Sequence, residues 1–219
     1  TGQIHHEKGD YKKSISALDQ YFKLADGITW MPDESAQSSA YYTQGYNYLL
    51  QKDYKRAEQN FKSALDLFKQ NASKIKNKDI TEKIWPDAMV RTGDCLFKDR
   101  KYKDAVSYYD QAIQKKQGSY VYAMYQRGMI EGLLGEPYEK ILTMRDIKTA
   151  YPTSEYADDA LLQLGDTYFE VDNVDNAYQS YNELVTKYKV SPLVNGAHLK
   201  LGLIAYNKGD LNTAISQYK

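Results

Sequence analysis

The sequence predicts an all-α fold made of stacked antiparallel helix pairs. Three observations carry that expectation. A spacing pattern recurs along the whole chain, a small residue stands at the centre of each copy, and the composition holds 22 tyrosines but only 5 prolines in 219 residues. A chain so poor in proline can be largely helical if its tyrosines recur at helical spacing, and here they do.

The clearest copy runs Tyr41, Gly45, Tyr48, Asp53-Tyr54, Ala57, Phe61, Ala64. Its spacings return at Met89, Gly93, Leu96, Lys101-Tyr102, Ala105, Tyr109, Ala112, and again at Leu161, Gly165, Tyr168, Asn173-Val174, Ala177, Tyr181, Leu184. A further copy passes through His198, Gly202, Ala205, Asp210-Leu211, Ala214 and Tyr218. The opening residues Gly2, Gly9-Asp10-Tyr11, Ser14, Leu18 and Tyr21 form a copy that lacks its start. A weaker one covers Met124, Gly128, Gly135 and Pro137 to Ile147.

Within each copy, apolar residues three, four and seven apart trace one stripe on each of two successive helices. Glycine and alanine stand where the two helices approach closely, since a larger side chain would push them apart. Gly-Asp-Tyr and Lys-Asp-Tyr are turn signals, with the tyrosine opening the second helix. One pair cannot bury its own stripe, so the core forms only when neighbours stack.

The chain divides into segments 1–33 (incomplete), 38–84, 85–120, 121–156, 157–193 and 194–219 (truncated), read as a single array. The linker from Gly27 to Ser38, with Pro32, lengthens the first connection. The Lys- and Asn-rich stretch 70–86 lengthens the second, by extension of the preceding helix. The fourth copy has Glu131 where others have Tyr or Leu, and Glu136-Pro137-Tyr138 predicts a second-helix register shifted by one residue. Both ends fall inside helices, so the sequence reads as part of a longer chain.

Composition removes several function classes. Lys+Arg and Asp+Glu are both 29, a balance unlike that of a chain built to neutralise nucleic-acid phosphates. Apolar runs of a few residues predict no transmembrane segment. Cys95 is the one cysteine, which excludes an internal disulfide, and it reads as a buried inert thiol. His5 and His6 are adjacent, point about 100° apart on a helix and read as surface residues. His198 reads as core or half-buried. No phosphate-cradling loop, metal-ligand spacing or catalytic constellation stands out, so no enzyme activity, cofactor or metal is expected.

The in-phase copies resemble the tetratricopeptide repeat family, whose period is about 34 residues. The anchoring glycines 2, 45, 93, 128, 165 and 202 lie 43, 48, 35, 37 and 37 apart, that period plus insertions. The resemblance covers essentially the whole chain and implies a right-handed superhelical solenoid. The stretch Tyr151-Pro152 to Leu161, followed by Leu164-Gly165-Asp166, is similar to the repeats of bacterial envelope proteins: outer-membrane assembly lipoproteins, Tol-Pal-associated proteins and Bacteroidetes-type arrays. That similarity implies a periplasmic or envelope location.

The resemblance also implies a non-catalytic scaffold whose first helices line a concave groove for a partner's peptide. The matching positions here are Tyr42, Tyr46 and Leu49; Val90, Asp94 and Phe97; Tyr122, Tyr125 and Met129; Asp166 and Phe169. Leu162, Leu199 and Leu203 are expected to pack between helices instead. Carboxylate-clamp members grip an acidic terminus with cationic first-helix residues. The matching offsets Tyr42 and Tyr46, Val90 and Asp94, Tyr125 and Met129, Leu162 and Asp166 hold none, while Lys98 and the lysines of residues 74–83 would favour an acidic partner at the groove's edge. The expected partner is therefore another protein or peptide, apolar or aromatic and neutral to basic, held on the tyrosines. The alternative is a structural segment that mediates oligomerisation or spaces domains.

Overall fold

The computed structural model describes residues 1–28 and 36–218, so the linker around Pro32 lies outside the described residues. Among them the secondary structure is helical, with no strand. The chain forms two compact units, Thr1–Ala123 and Met124–Lys219.

The first unit contains α1 (Gly2–Glu7), α2 (Tyr11–Ala25), α3 (Ala36–Leu50), α4 (Tyr54–Gln70), α5 (Trp85–Lys98) and α6 (Tyr102–Lys115). Helix α7 (Tyr120–Leu133) begins in it and continues into the second unit. That unit goes on with α8 (Pro137–Ala150), α9 (Ala157–Glu170), α10 (Val174–Lys187), α11 (Val194–Asn207) and α12 (Leu211–Gln217). Helix α4 runs 17 residues against 14 for α6, so the long second connection does begin by extending a helix. It ends in a π-helical turn, Ile80–Ile84, that leads into α5.

One turn geometry joins the helices of each pair. Seven residues after the anchoring glycine the backbone adopts positive φ: Gly9, Lys52, Arg100, Gly135, Asp172 and Gly209. The next amide bonds back to the carbonyl five residues earlier, as in Asp53 N to Tyr48 O at 2.9 Å and Asn173 N to Tyr168 O at 2.8 Å. This left-handed closure satisfies the carbonyls that a helix end leaves open. The second helix then starts on a polar N-cap in three copies, where Asp53, Asn173 and Asp210 accept from the amides of Arg56, Asn176 and Thr213.

Packing within pairs follows from the glycines. A Cβ on Gly45 would meet Phe61, on Gly93 Tyr109, on Gly165 Tyr181 and on Gly202 Tyr218, each within 3 Å. Each partner stands sixteen residues downstream, and the absent side chain is the ring's seat. Ala57, Ala105 and Ala177 are fully buried beside these rings, as the close approach demands.

The fourth copy obeys the same spacing, which corrects the expected register shift. Gly128 faces Met144, again sixteen residues on, and Glu136 N bonds to Glu131 O at 2.9 Å as in the other turns. Glu131 is buried and one of its oxygens accepts from Arg127 Nε at 2.9 Å, at the position where other copies place His5, Tyr48, Leu96, Tyr168 and Ala205. The helices of the copy keep register, although the second Glu131 oxygen is buried without a hydrogen-bond partner among the described residues.

Candidate peptide-binding site

In the first unit the first-helix face carries a continuous polar ladder. Tyr42 and Tyr46 of α3 both donate to Asp87 Oδ2 of α5, at 2.8 and 2.5 Å. Arg91, one turn on, donates from Nε to the Tyr46 hydroxyl at 2.9 Å. Its guanidinium also reaches Asp87 at 3.2 Å and Asp94 at 2.8 Å. Asp94 Oδ1 in turn accepts from Tyr109 of α6 at 2.7 Å and from Tyr122 of α7 at 3.0 Å. The Arg91 guanidinium lies 5.9 Å from the Tyr46 ring centre and 5.7 Å from that of Tyr122.

The electrostatics of this ladder are those of a half-buried, closed network. Burial, then Asp87, raises the Tyr42 phenol far above its ordinary range, and the same causes push Tyr46 up to about 12. Burial and Asp94 likewise raise Tyr109. These phenols therefore remain donors. Burial opposes the charge of Arg91, but Asp87 and its other neighbours outweigh it and hold the guanidinium protonated. Burial also raises Asp94, against the pull of Arg91. Two carboxylates face one guanidinium, so the ladder is acidic on balance.

Tyr42, Tyr46, Asp94 and Tyr122 are thus brought together by the structure, each half-buried. The three tyrosine hydroxyls are committed to Asp87 and Asp94, and the rings of Tyr42 and Tyr46 pack edge-on against Phe61. Leu49 packs against the buried cluster of Tyr48, Ala57, Phe61 and Cys95, while Phe97 lies 5.7 Å from the Tyr102 ring. Val90 is fully buried and does not belong to the face; Arg91 takes its place. The spacing Asp87-x3-Arg91-x2-Asp94 on one helix is the sequence signal that identifies it, an i, i+4 and i, i+3 pairing. His6 is half-buried instead of a free surface residue, with Nδ1 2.8 Å from Asn47 Oδ1 and its ring beside Tyr46. A cleft of about 770 Å³ opens along this side, lined by His6, Leu18, Tyr42, Tyr46 and Ile80 among others.

In the second unit, Tyr125 stacks on Tyr156 with centroids 5.6 Å apart, and burial followed by Asp159 pushes its phenol up to about 12. Asp166 accepts from the Tyr181 hydroxyl at 2.7 Å and pairs with Lys200 of α11 at 3.0 Å. Phe169 and Leu162 pack against the buried cluster of Leu161, Tyr181, Leu201 and their neighbours, and Met129 is half-buried on α7. The expectation that Leu199 and Leu203 pack between helices is corrected: both are exposed, at 58 and 38%. His198 is half-buried, with Nδ1 2.6 Å from Gln217 Oε1.

Lys200 and Arg91 occupy the same place in their repeats, two residues before the glycine, and each contacts the preceding first helix one residue after its glycine. These cations were missed by offsets taken from clamp-type members. Both are paired with carboxylates, so neither stands ready for a partner's terminus.

Tetratricopeptide repeat family models match residues 38–71, 87–115 and 159–189. The chain carries tetratricopeptide repeats. No curated protein matches the sequence. Among solved structures it is similar to PilF of Pseudomonas aeruginosa, with 14% identity over 99% of this chain and 85% of that one and a TM-score of 0.66. It is also similar to YrrB, described as a tetratricopeptide repeat protein with an unusual peptide-binding site, at 20% identity over 95 and 88% and a TM-score of 0.63. A repeat protein from Parabacteroides merdae matches at 13% over 99 and 74%, with a TM-score of 0.66. At these low identities the structural likeness shows a shared fold alone. No helix among the described residues is long and apolar enough to cross a membrane.

Proposed function

We propose that this protein is a non-catalytic binding scaffold whose first-helix face captures a peptide segment of a partner protein. Tetratricopeptide repeats as a class mediate protein–protein interaction, and the ladder supports a specific form of it. Its hydroxyls are tied down on Asp87 and Asp94, so the rings of Tyr42, Tyr46 and Tyr122 are held rigid before any partner arrives. Little rotamer freedom is left to lose on binding, which favours affinity. In the first unit, two carboxylates to one guanidinium favour a segment that is apolar or aromatic and neutral to basic, and in the second unit Asp158 and Asp159 beside Tyr125 favour the same chemistry. An acidic chain terminus would be desolvated with no unpaired cation on the tyrosine ladder.

The observation that carries this reading is the network joining α3, α5 and α7 through Arg91. A peptide-array screen tests it, with the wild-type protein and a Tyr42→Ala/Tyr125→Ala variant whose fold is checked by circular dichroism. Aromatic or basic sequences captured by the wild type and lost by the variant support the reading. Full binding by the variant, or selection of acidic C-terminal peptides, overturns it.

A further inference from the structure

The fourth helix pair, α7–α8, departs from the others at two positions, and the departures fit one another. Twelve residues after the anchoring glycine the other copies carry Ser14, Ala57, Ala105, Ala177 and Ala214, all buried. This copy carries Lys140 there, only 8% exposed. Four residues after the glycine the others carry His6, Leu49, Phe97, Phe169 and Tyr206; this copy carries Gly132. A Cβ on Gly132 would lie 2.9 Å from Lys140 Cδ and 3.4 Å from its Nζ. The lysine stem therefore fills the volume left by the missing side chain. Its ammonium comes out beside Gly132, at the first-helix position that a ring or leucine occupies elsewhere.

The family comparison of first helices misses this cation because it arrives from the second helix through a gap in the first. Among the described residues no hydrogen bond or ion pair within 4 Å reaches it. Asp166 and Glu170 of α9 act on it from farther away, and burial outweighs them, so its pKa is lowered. Asp166 is already held by Tyr181 and Lys200, whereas exposed Glu170 has no hydrogen bond or ion pair among the described residues. An ammonium has three donors, and Lys140 Nζ still meets water at the gap over exposed Gly132, so a bound group that accepts from it there takes the place of solvent on an otherwise buried side chain.

We propose that Lys140 fixes the register of the partner segment by donating to the carbonyl oxygen of an amide, from its backbone or from an Asn or Gln side chain. This inference rests on the proposed function and names the group recognised on the first helices of the second unit. An amide offers an acceptor and a donor together, the complement of the Lys140 ammonium and the Glu170 carboxylate. A partner carboxylate would gain Lys140 but meet repulsion from Asp166 and Glu170.

The probe is a displayed library of random twelve-residue peptides selected on the wild-type protein. The affinities of the selected peptides are then measured on Lys140→Met, which keeps the stem, and on Lys140→Ala, which restores the residue of the other copies. A charged hydrogen bond lost on binding weakens affinity about 10- to 100-fold, and both variants should show this with unchanged helicity. The wild-type affinity should change little with salt, as befits a neutral acceptor. Unchanged affinity in both variants, with binding still lost on Tyr125→Ala, overturns the role of Lys140 and leaves the scaffold reading standing. A consensus of Asp, Glu or free C termini with steep salt dependence overturns the amide assignment. If no peptide is selected, the scaffold reading fails and this inference fails with it.

Discussion

Replacing Gly165 by alanine tests the packing logic of the whole array. Gly165 lies on α9 against Tyr181 of α10, and a Cβ there would come within 2.6 Å of Cδ1 and 2.7 Å of Cζ. The ring has nowhere to withdraw, because it is fully buried and its hydroxyl is anchored on Asp166 at 2.7 Å. Alanine in a helix interior is favoured over glycine by about 1 kcal/mol. Forcing a methyl group into a filled site costs about 1–3 kcal/mol. The approach is tightest at Cε1, closer than at either of those atoms, which puts the cost at the upper end and leaves a net loss of about 1–2 kcal/mol. Gly196 on α11 supplies the control, since a Cβ there meets nothing within 4 Å and only the helix gain remains. Urea unfolding followed by circular dichroism should place the Gly165→Ala midpoint below wild type and the Gly196→Ala midpoint above it, with similar slopes. A Gly165→Ala midpoint at or above wild type would refute the argument that glycine is there to seat the ring.

Three further outcomes follow from the side-chain chemistry. Arg91→Leu leaves Asp87 and Asp94 facing each other half-buried, and should cost about 1–3 kcal/mol in the same urea assay; an unshifted midpoint would mean that the ladder is not held by its guanidinium. Burial pushes the Cys95 thiol up to about 12, so a thiol-reactive dye at mildly alkaline pH should label it only in denaturant, and prompt native labelling would contradict its burial. Burial also holds the Lys140 amine below its ordinary value, so the unfolded chain binds that proton more tightly than the folded one. The resulting cost is present in full below the folded pKa and fades as pH rises into the ordinary lysine range. Lys140→Met should therefore be more stable than wild type near neutral pH, with the difference shrinking at alkaline pH, and a variant less stable at neutral pH would reverse that reasoning.

The helix pairs were legible because their determinants are local and repeated. Glycine, the turn, the small residue and the ring recur at fixed distances, and in-phase copies reinforce one another. The fourth copy was misread for a physical reason. Glu136-Pro137-Tyr138 looks like a displaced turn, and Lys140 does not look like a residue for an alanine site. Only the structure shows Gly132 making room for it. The first-helix face was legible in its tyrosines and in carboxylates such as Asp94 and Asp166, but not in its cations Arg91 and Lys200. Val90 and Arg91 are adjacent, and which of them faces outward depends on the helix's rotation against its neighbours. Likewise, Tyr42 and Tyr46 read as free anchors, because nothing in a linear spacing reveals that their hydroxyls meet Asp87 from the next repeat.

The turn after each first helix also governs where this chain can change length. From the anchoring glycine, the positive-φ residue, the start of the second helix and the seated side chain fall seven, nine and sixteen residues on in every copy. An insertion within that stretch would break both the carbonyl closure and the ring's seat, so all variation in the glycine intervals, from 35 to 48, falls between pairs. A helix pair is thus a cassette with standard internal dimensions and adjustable joints. Exchanging one for another would move its recognition chemistry intact: a transplanted α7–α8 would bring the Lys140–Gly132 combination with it, since both halves of that device lie inside a single cassette.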